Sequence, residues 1–177
     1  MESDQELIEL ANKGDSDAFE ALYRRYRDWA YRLAWRFTGN HDDSLDALQE
    51  AFTYLLGKFP GFELTASMTS FLYPVVRHIS YTIRSKRSRF TSEEEFLNEL
   101  VAPESWENKR YRSELAAVLI VLPDEQREVL LMRFVDDMSL QEIAAVLDIP
   151  LGTVKSRLHN ALRALRSDRR TREYFLE

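Results

Sequence analysis

The chain has 177 residues, 45% of them hydrophobic, and a formal net charge of −6. That is enough apolar material for one or two packed domains. A negative overall field argues against a free-standing, non-specific DNA binder, so any basic patch must act locally. The lack of Cys excludes disulfides, thiolate zinc sites and a cysteine nucleophile. No apolar run has the length of a membrane span or a signal segment, so a cytoplasmic protein without membrane insertion is expected.

Gly and Pro number only five each, and runs of alternating β-branched residues are absent. The predicted fold is therefore all-α. A short helix is expected over 4–13, broken at Gly14-Asp15. A long one follows over 17–37, with Phe19, Leu22, Tyr26, Trp29 or Ala30, and Leu33 on its apolar stripe. After Gly39-Asn40 the spacing predicts a helix over 42–59. Leu45, Leu48, Phe52, Leu55 and Phe59 are expected to be buried there, with Asp46, Gln49 and Glu50 beside or opposite them. Residues 67–87 read as another helix or helix pair, in which Pro74 should kink the backbone or mark a first turn.

Charge divides the chain. Residues 1–70 carry seven bases and thirteen acids, whereas 71–89 carry Arg77, Arg84, Lys86, Arg87 and Arg89 and no acid. The next stretch, 91–110, holds six Glu and Pro103 and reads as a linker. Two more helices are expected over 114–121 and 124–134, the second with Pro123, Asp124 and Glu125 at its start.

Residues 139–166 carry the most specific pattern. Ser139 and Glu142 have capping-box spacing, and Leu140, Ile143, Ala144 and Leu147 line one face. Asp148-Ile149-Pro150 stops that helix. A second helix then opens at Gly152-Thr153, with Val154, Leu158, Ala161, Leu162 and Leu165 as its buried stripe. This is a helix-turn-helix, a means of placing a helix in the DNA major groove. Thr153, Lys155, Ser156, Arg157, His159, Asn160 and Arg163 lie off the stripe. Arg forks onto guanine, Asn onto adenine, and Ser, Thr and Lys reach phosphates or base edges. From 151 to 172 there are seven Lys or Arg and one acid, a local reversal of the overall charge.

Three stretches taken in order, DALQEAFTYLLGKFPGF (46–62), SFLYPVVRHISYTIRSKRSR (70–89) and LPDEQREVLLMRFVDDMSLQEIAAVLDIPLGTVKSRLHNALRAL (122–165), together resemble an extracytoplasmic-function (ECF, group 4) sigma factor of bacterial RNA polymerase. The resemblance implies two helical domains, region 2 over 1–90 and region 4 over 113–177, joined by an acidic linker over 91–112. It places Asp46, Gln49 and Glu50 on the D-x-x-Q-E positions that bind the β′ coiled coil of core polymerase. It assigns the helix over 70–89 to the minus-ten promoter element, through Arg77, His78, Tyr81, Arg84, Lys86, Arg87 and Arg89. The helix-turn-helix residues fall to the minus-thirty-five element. Implied partners are core polymerase through its β′ and β subunits, promoter DNA and an anti-sigma factor. The chain departs from the family pattern at Phe71 (usually Trp), Pro74, His78 (usually Asn) and Thr82 (usually Asp), and at Asp148, where Gly is more frequent.

Other classes explain less of the sequence. A self-sufficient dimeric operator-binding regulator leaves 46–62 and the basic cluster unused. A mimic that only sequesters an anti-sigma protein does not need a basic recognition helix. For an enzyme, no nucleophile–base pair, phosphate loop or metal-ligand spacing occurs, and His41, His78 and His159 are dispersed, so neither activity, metal nor cofactor is expected.

Overall fold

The computed structural model describes residues 2–87, Leu119 and 122–168, with the Arg87 side chain excepted. Arg89, the acidic segment over 91–110 and, apart from Leu119, the helix expected over 114–121 lie outside the described residues. Seven helices and no strand occur among the described residues, as the composition predicts. The chain divides into two compact units, Met1–Ser88 and Arg89–Glu177.

The front unit holds α1 (Asp4–Asn12), α2 (Ser16–Thr38), α3 (His41–Leu56) and α4 (Met68–Arg87). Each of the first three starts at a side-chain cap. Ser3 and Glu6 form a reciprocal capping box, Asp15 accepts from the N–H groups of Asp17 and Ala18, and Asn40 accepts from that of Asp43. Gly39, in the left-handed region at φ 63°, ends α2 by donating its N–H to the Trp35 carbonyl. Ala30 and Ala34 of α2 and Ala47 and Ala51 of α3 are fully buried. Their small side chains let α2 and α3 approach closely. Leu22, Leu33, Leu48, Phe52, Leu55, Leu72 and Val76 fill the remaining space.

Two expectations fail here. Helix α3 stops at Leu56, not 59, because Gly57 and then the Phe59-Pro60 step end it. Leu45 is 44% exposed. The inward positions of α3 are Ser44, Ala47, Leu48, Ala51, Phe52 and Leu55, and the Ser44 hydroxyl lies 2.7 Å from that of Thr38. Ser44 thus takes the inward place and leaves Leu45 outside. Pro74 lies inside an unbroken α4, exposed on its outer side. The carbonyl its missing N–H leaves free is therefore close to water.

The rear unit holds α5 (Asp124–Phe134), α6 (Leu140–Leu147) and α7 (Leu151–Ser167). Leu119, Leu122, Leu130, Leu131, Ala161 and Leu165 form its core, with Leu158, Leu162 and Ala164 packed against them. Ile143 and Val154, both fully buried, join α6 to α7. Of the stripe predicted for α6 only Ile143 is buried, since an eight-residue helix gives up a single position to complete enclosure. The capping box of Ser139 and Glu142 is present, with the Ser139 N–H donating to Glu142 Oε2 at 2.8 Å.

Candidate nucleic-acid interface

The turn between α6 and α7 sets the pose of the second helix. Asp148 adopts φ 52°, ψ 48°, the left-handed conformation for which Gly is the usual choice and which Asp tolerates. Its N–H donates to the Ala144 carbonyl, and the N–H of Ile149 reaches the same oxygen at 3.1 Å. Pro150 then enters at φ −57° and its carbonyl accepts from Thr153 N–H at 2.8 Å. Proline's fixed φ and this first bond start α7 without a side-chain cap.

With Val154, Ala161 and Leu165 facing inward, the opposite side of α7 is a continuous exposed line: Gly152, Lys155, Ser156, His159, Arg163 and Arg166. Four of the seven residues singled out from sequence, Lys155, Ser156, His159 and Arg163, lie on it. Thr153, Arg157 and Asn160 are half-buried on its flanks. Asn160 Oδ1 accepts from Arg163 Nη2 at 3.1 Å, and the Ser156 hydroxyl donates to the Thr153 carbonyl at 2.9 Å. Arg157 turns toward α5, where Nη2 pairs with Glu125 Oε2 at 2.7 Å. Charge alone could not reveal that pairing, because the partner is 32 residues away. Arg166 extends the line by one further cation; its i+3 and i+7 spacing from Arg163 and His159 was the available signal.

Helix α4 presents a second exposed line: Pro74, His78, Tyr81, Thr82, Ser85 and Lys86. Tyr81 is 47% exposed, its ring 5.3 Å from Phe37 and 5.7 Å from the Arg77 guanidinium carbon. An aromatic platform beside cations is what unstacked bases require. Arg77 and Arg84 flank the line, half-buried. His78 and Thr82, two of the departures from the family pattern, face solvent one turn apart, and the Thr82 hydroxyl donates to the His78 carbonyl at 3.0 Å. Two neighbouring rings lie elsewhere. Tyr73 is buried, and Phe71 packs edge-on to Phe62 at 4.8 Å.

A third face lies on α3. Asp46, Gln49 and Glu50 are all exposed and follow i, i+3, i+4 spacing, which puts them on one side. Leu45, Tyr54 and the 53% exposed Leu56 border them, and Lys58 Nζ sits 4.4 Å over the Tyr54 ring. This mixed acidic and apolar surface is only half legible in sequence, because spacing assigns Leu45 to the core. Among the described residues no cluster of His, Asp or Glu is arranged to hold a metal, and no helix is long and apolar enough to cross a membrane.

Comparison with known proteins supplies the family. The sigma-70 region 2 family matches residues 22–90, and the sigma-70 region 4 family matches residues 118–167. The ECF RNA polymerase sigma factor SigW of Bacillus subtilis is 29% identical, over 92% of this chain and 95% of its own. The RNA polymerase sigma-H factor of Pseudomonas aeruginosa is 30% identical, over 93% of each. The fold is similar to that of the sigma factor RpoE of Bartonella quintana, solved in complex with the anti-sigma factor NepR (TM-score 0.60, 21% identity, 84% of this chain and 94% of that one). The chain belongs to the sigma-70 family and is an ECF-type RNA polymerase sigma factor, which directs promoter recognition in transcription initiation.

Proposed function

We propose that the three exposed faces divide the work of initiation among them. The front domain, 1–90, carries two: Asp46, Gln49 and Glu50 of α3 bind core polymerase, and Arg77, His78, Tyr81, Arg84, Lys86, Arg87 and Arg89 engage the minus-ten element. The rear domain, 113–177, reads the minus-thirty-five element through Thr153, Lys155, Ser156, His159, Asn160 and Arg163, with Arg157 at the border. The segment 91–112 connects them. The observation that carries this reading is the exposed line of α7, where a Lys, a Ser, a His and an Arg stand in register on the outer side of a helix-turn-helix.

The same reading makes the protein a group 4 factor. It acts in the cytoplasm as a specificity subunit and is not itself an enzyme. An anti-sigma factor is a natural regulator, since the Bartonella quintana factor of similar fold was solved bound to one.

Run-off transcription with bacterial core polymerase on a genomic promoter library tests the assignment. Start sites that depend on the added protein, lost with Asp46→Ala/Gln49→Ala and re-ranked with Arg163→Ala, are the expected result. Unchanged core affinity in the first variant, or an unchanged promoter ranking in the second, would remove that face from the scheme.

A further inference from the structure

Residues 57–67 join the α3 face to the α4 face, and a side chain from outside the matched family region holds this connection. Helix α1 precedes residue 22, where the region 2 match begins. Its last residue, Asn12, is half-buried and reaches 49 and 50 residues along the chain. Asn12 Oδ1 accepts from the N–H groups of Gly61 at 2.7 Å and Phe62 at 2.9 Å. Its Nδ2 donates to the Phe62 carbonyl at 2.9 Å. One amide thus satisfies three backbone groups of a segment that has no ladder of its own, which fixes its path.

Both ends of this contact are secured. On one side Leu7, Ile8 and Ala11 bury α1, and Asp4 accepts from Arg25 and Tyr26 of α2. On the other, Gly61 stands at φ 99°, a conformation closed to L side chains, although a Cβ there would meet nothing within 4 Å. Its glycine is required by backbone shape alone. Phe62 is buried, and its ring meets Phe71, in the first turn of α4, and Phe59. Beyond it, Ser67 caps α4 by accepting from Ser70 N–H at 3.1 Å. The five residues between Phe62 and α4 are therefore an arch with two fixed ends, whose crown (Glu63, Thr65, Ala66) is exposed beside the start of α4.

We infer that Asn12 is a positioning residue for promoter opening, acting through the backbone of Gly61 and Phe62 to fix the arch and the entry of α4. It touches no partner itself. The inference rests on the reading that α4 meets the promoter. Asn12→Ala removes all three bonds, and Gly61→Ala strains the same segment from its other side.

The test uses the full chain with core polymerase on a promoter obtained by run-off selection. Core affinity is read by competition, and strand opening by permanganate reactivity of unpaired thymines. Asn12→Ala is expected to keep core affinity within about twofold and to lower opening by about tenfold. The double variant Asn12→Ala/Gly61→Ala should be no worse than the poorer single one, since both act on one arch. If Asn12→Ala does not fold, Asn12→Ser, which keeps one acceptor, carries the same comparison. Wild-type opening, a loss of core binding equal to the loss of opening, or full additivity would overturn the inference. His78→Ala separates the two levels. If it leaves opening intact, the reading of α4 fails; if it lowers opening while Asn12→Ala does not, only the role of Asn12 fails.

Discussion

Tyr73→Phe separates a structural ring from one proposed to contact DNA on the same helix. The Tyr73 hydroxyl accepts from Arg36 Nη2 at 2.8 Å, and both side chains are buried, Tyr73 to 1% exposure. The guanidinium also lies 4.7 Å from the Phe37 ring and 5.7 Å from that of Tyr73. Phe preserves the ring, so no cavity opens; what is lost is an acceptor for a buried cation. A hydrogen bond to a charged group contributes about 1.5–3 kcal/mol, and the contacts Arg36 keeps favour the lower half of that range. For a unit of this size each kcal/mol moves the midpoint by about 4–8 °C, so roughly 6–18 °C is expected. The assay is thermal unfolding followed by fluorescence of Trp29 and Trp35 in α2, with Trp106 replaced by Phe in both proteins compared. Below the transition, promoter binding with core polymerase should keep its affinity and salt slope. An unchanged midpoint with weakened promoter binding would refute the reasoning, because the hydroxyl would then act at DNA.

The other expectations concern single groups. Lys155→Ala should weaken promoter binding evenly across sequences and reduce the magnitude of the log–log salt slope by about 1, measured from 50 to 200 mM salt; a changed base preference would make Lys155 a reader instead. The charge swap Glu125→Arg/Arg157→Glu should restore binding lost in Arg157→Glu if Arg157 orients α7 through Glu125, and should fail if Arg157 touches DNA. Glu125→Gln alone should cost little stability, since Glu125 is 69% exposed in the pair. Ser139→Ala should destabilise the rear unit by about 1 kcal/mol, seen in denaturant midpoint. The Glu6 carboxyl is held below its ordinary range by the N–H and hydroxyl of Ser3. A depressed carboxylate stabilises the fold above its unfolded value and loses that effect as pH falls through the folded one. Opening of α1, read as amide exchange corrected for its intrinsic pH dependence, should therefore rise in acid in the wild type and respond less to pH in Glu6→Gln.

Helix existence and order were legible because caps and apolar spacing agree locally. The helices that start at Ser3, Asp15, Asn40 and Ser139 begin where the sequence places them or within a residue or two, although only the Ser139-Glu142 cap is itself read from sequence. What could not be read was decided by partners distant in sequence. Leu45 fits an apolar stripe by spacing, yet Ser44 takes the inward place through its bond to Thr38. Tyr73 and Tyr81 look alike eight residues apart, yet Arg36 captures one and leaves the other at the surface. Arg157 reads as a DNA contact from its neighbours in the helix, and its pair with Glu125 has no local signal. Asn12 gives no sequence signal, because its bonds are to backbone, and backbone donors and acceptors carry no residue-type signature.

Charge arithmetic explains why such a protein works through polymerase. The described part of the exposed α7 line carries three cations, Lys155, Arg163 and Arg166. At about 0.9 in slope per neutralised phosphate, three contacts lose roughly 40-fold in affinity between 50 and 200 mM salt. Three such contacts alone do not hold a site against competing DNA, and a net charge of −6 adds a repulsive field. A second DNA face on α4 helps only if both faces engage at once, which raises effective concentration without new contacts. On the proposed division of labour, core polymerase supplies that by binding α3. The acidic balance then becomes useful, since it suppresses binding by the free protein while leaving the assembled complex two local basic surfaces. Free protein should show no promoter retention at about 150 mM salt, near physiological ionic strength, and adding core polymerase should restore it. Retention of intact duplex by the free protein at that salt would instead favour an autonomous operator-binding regulator.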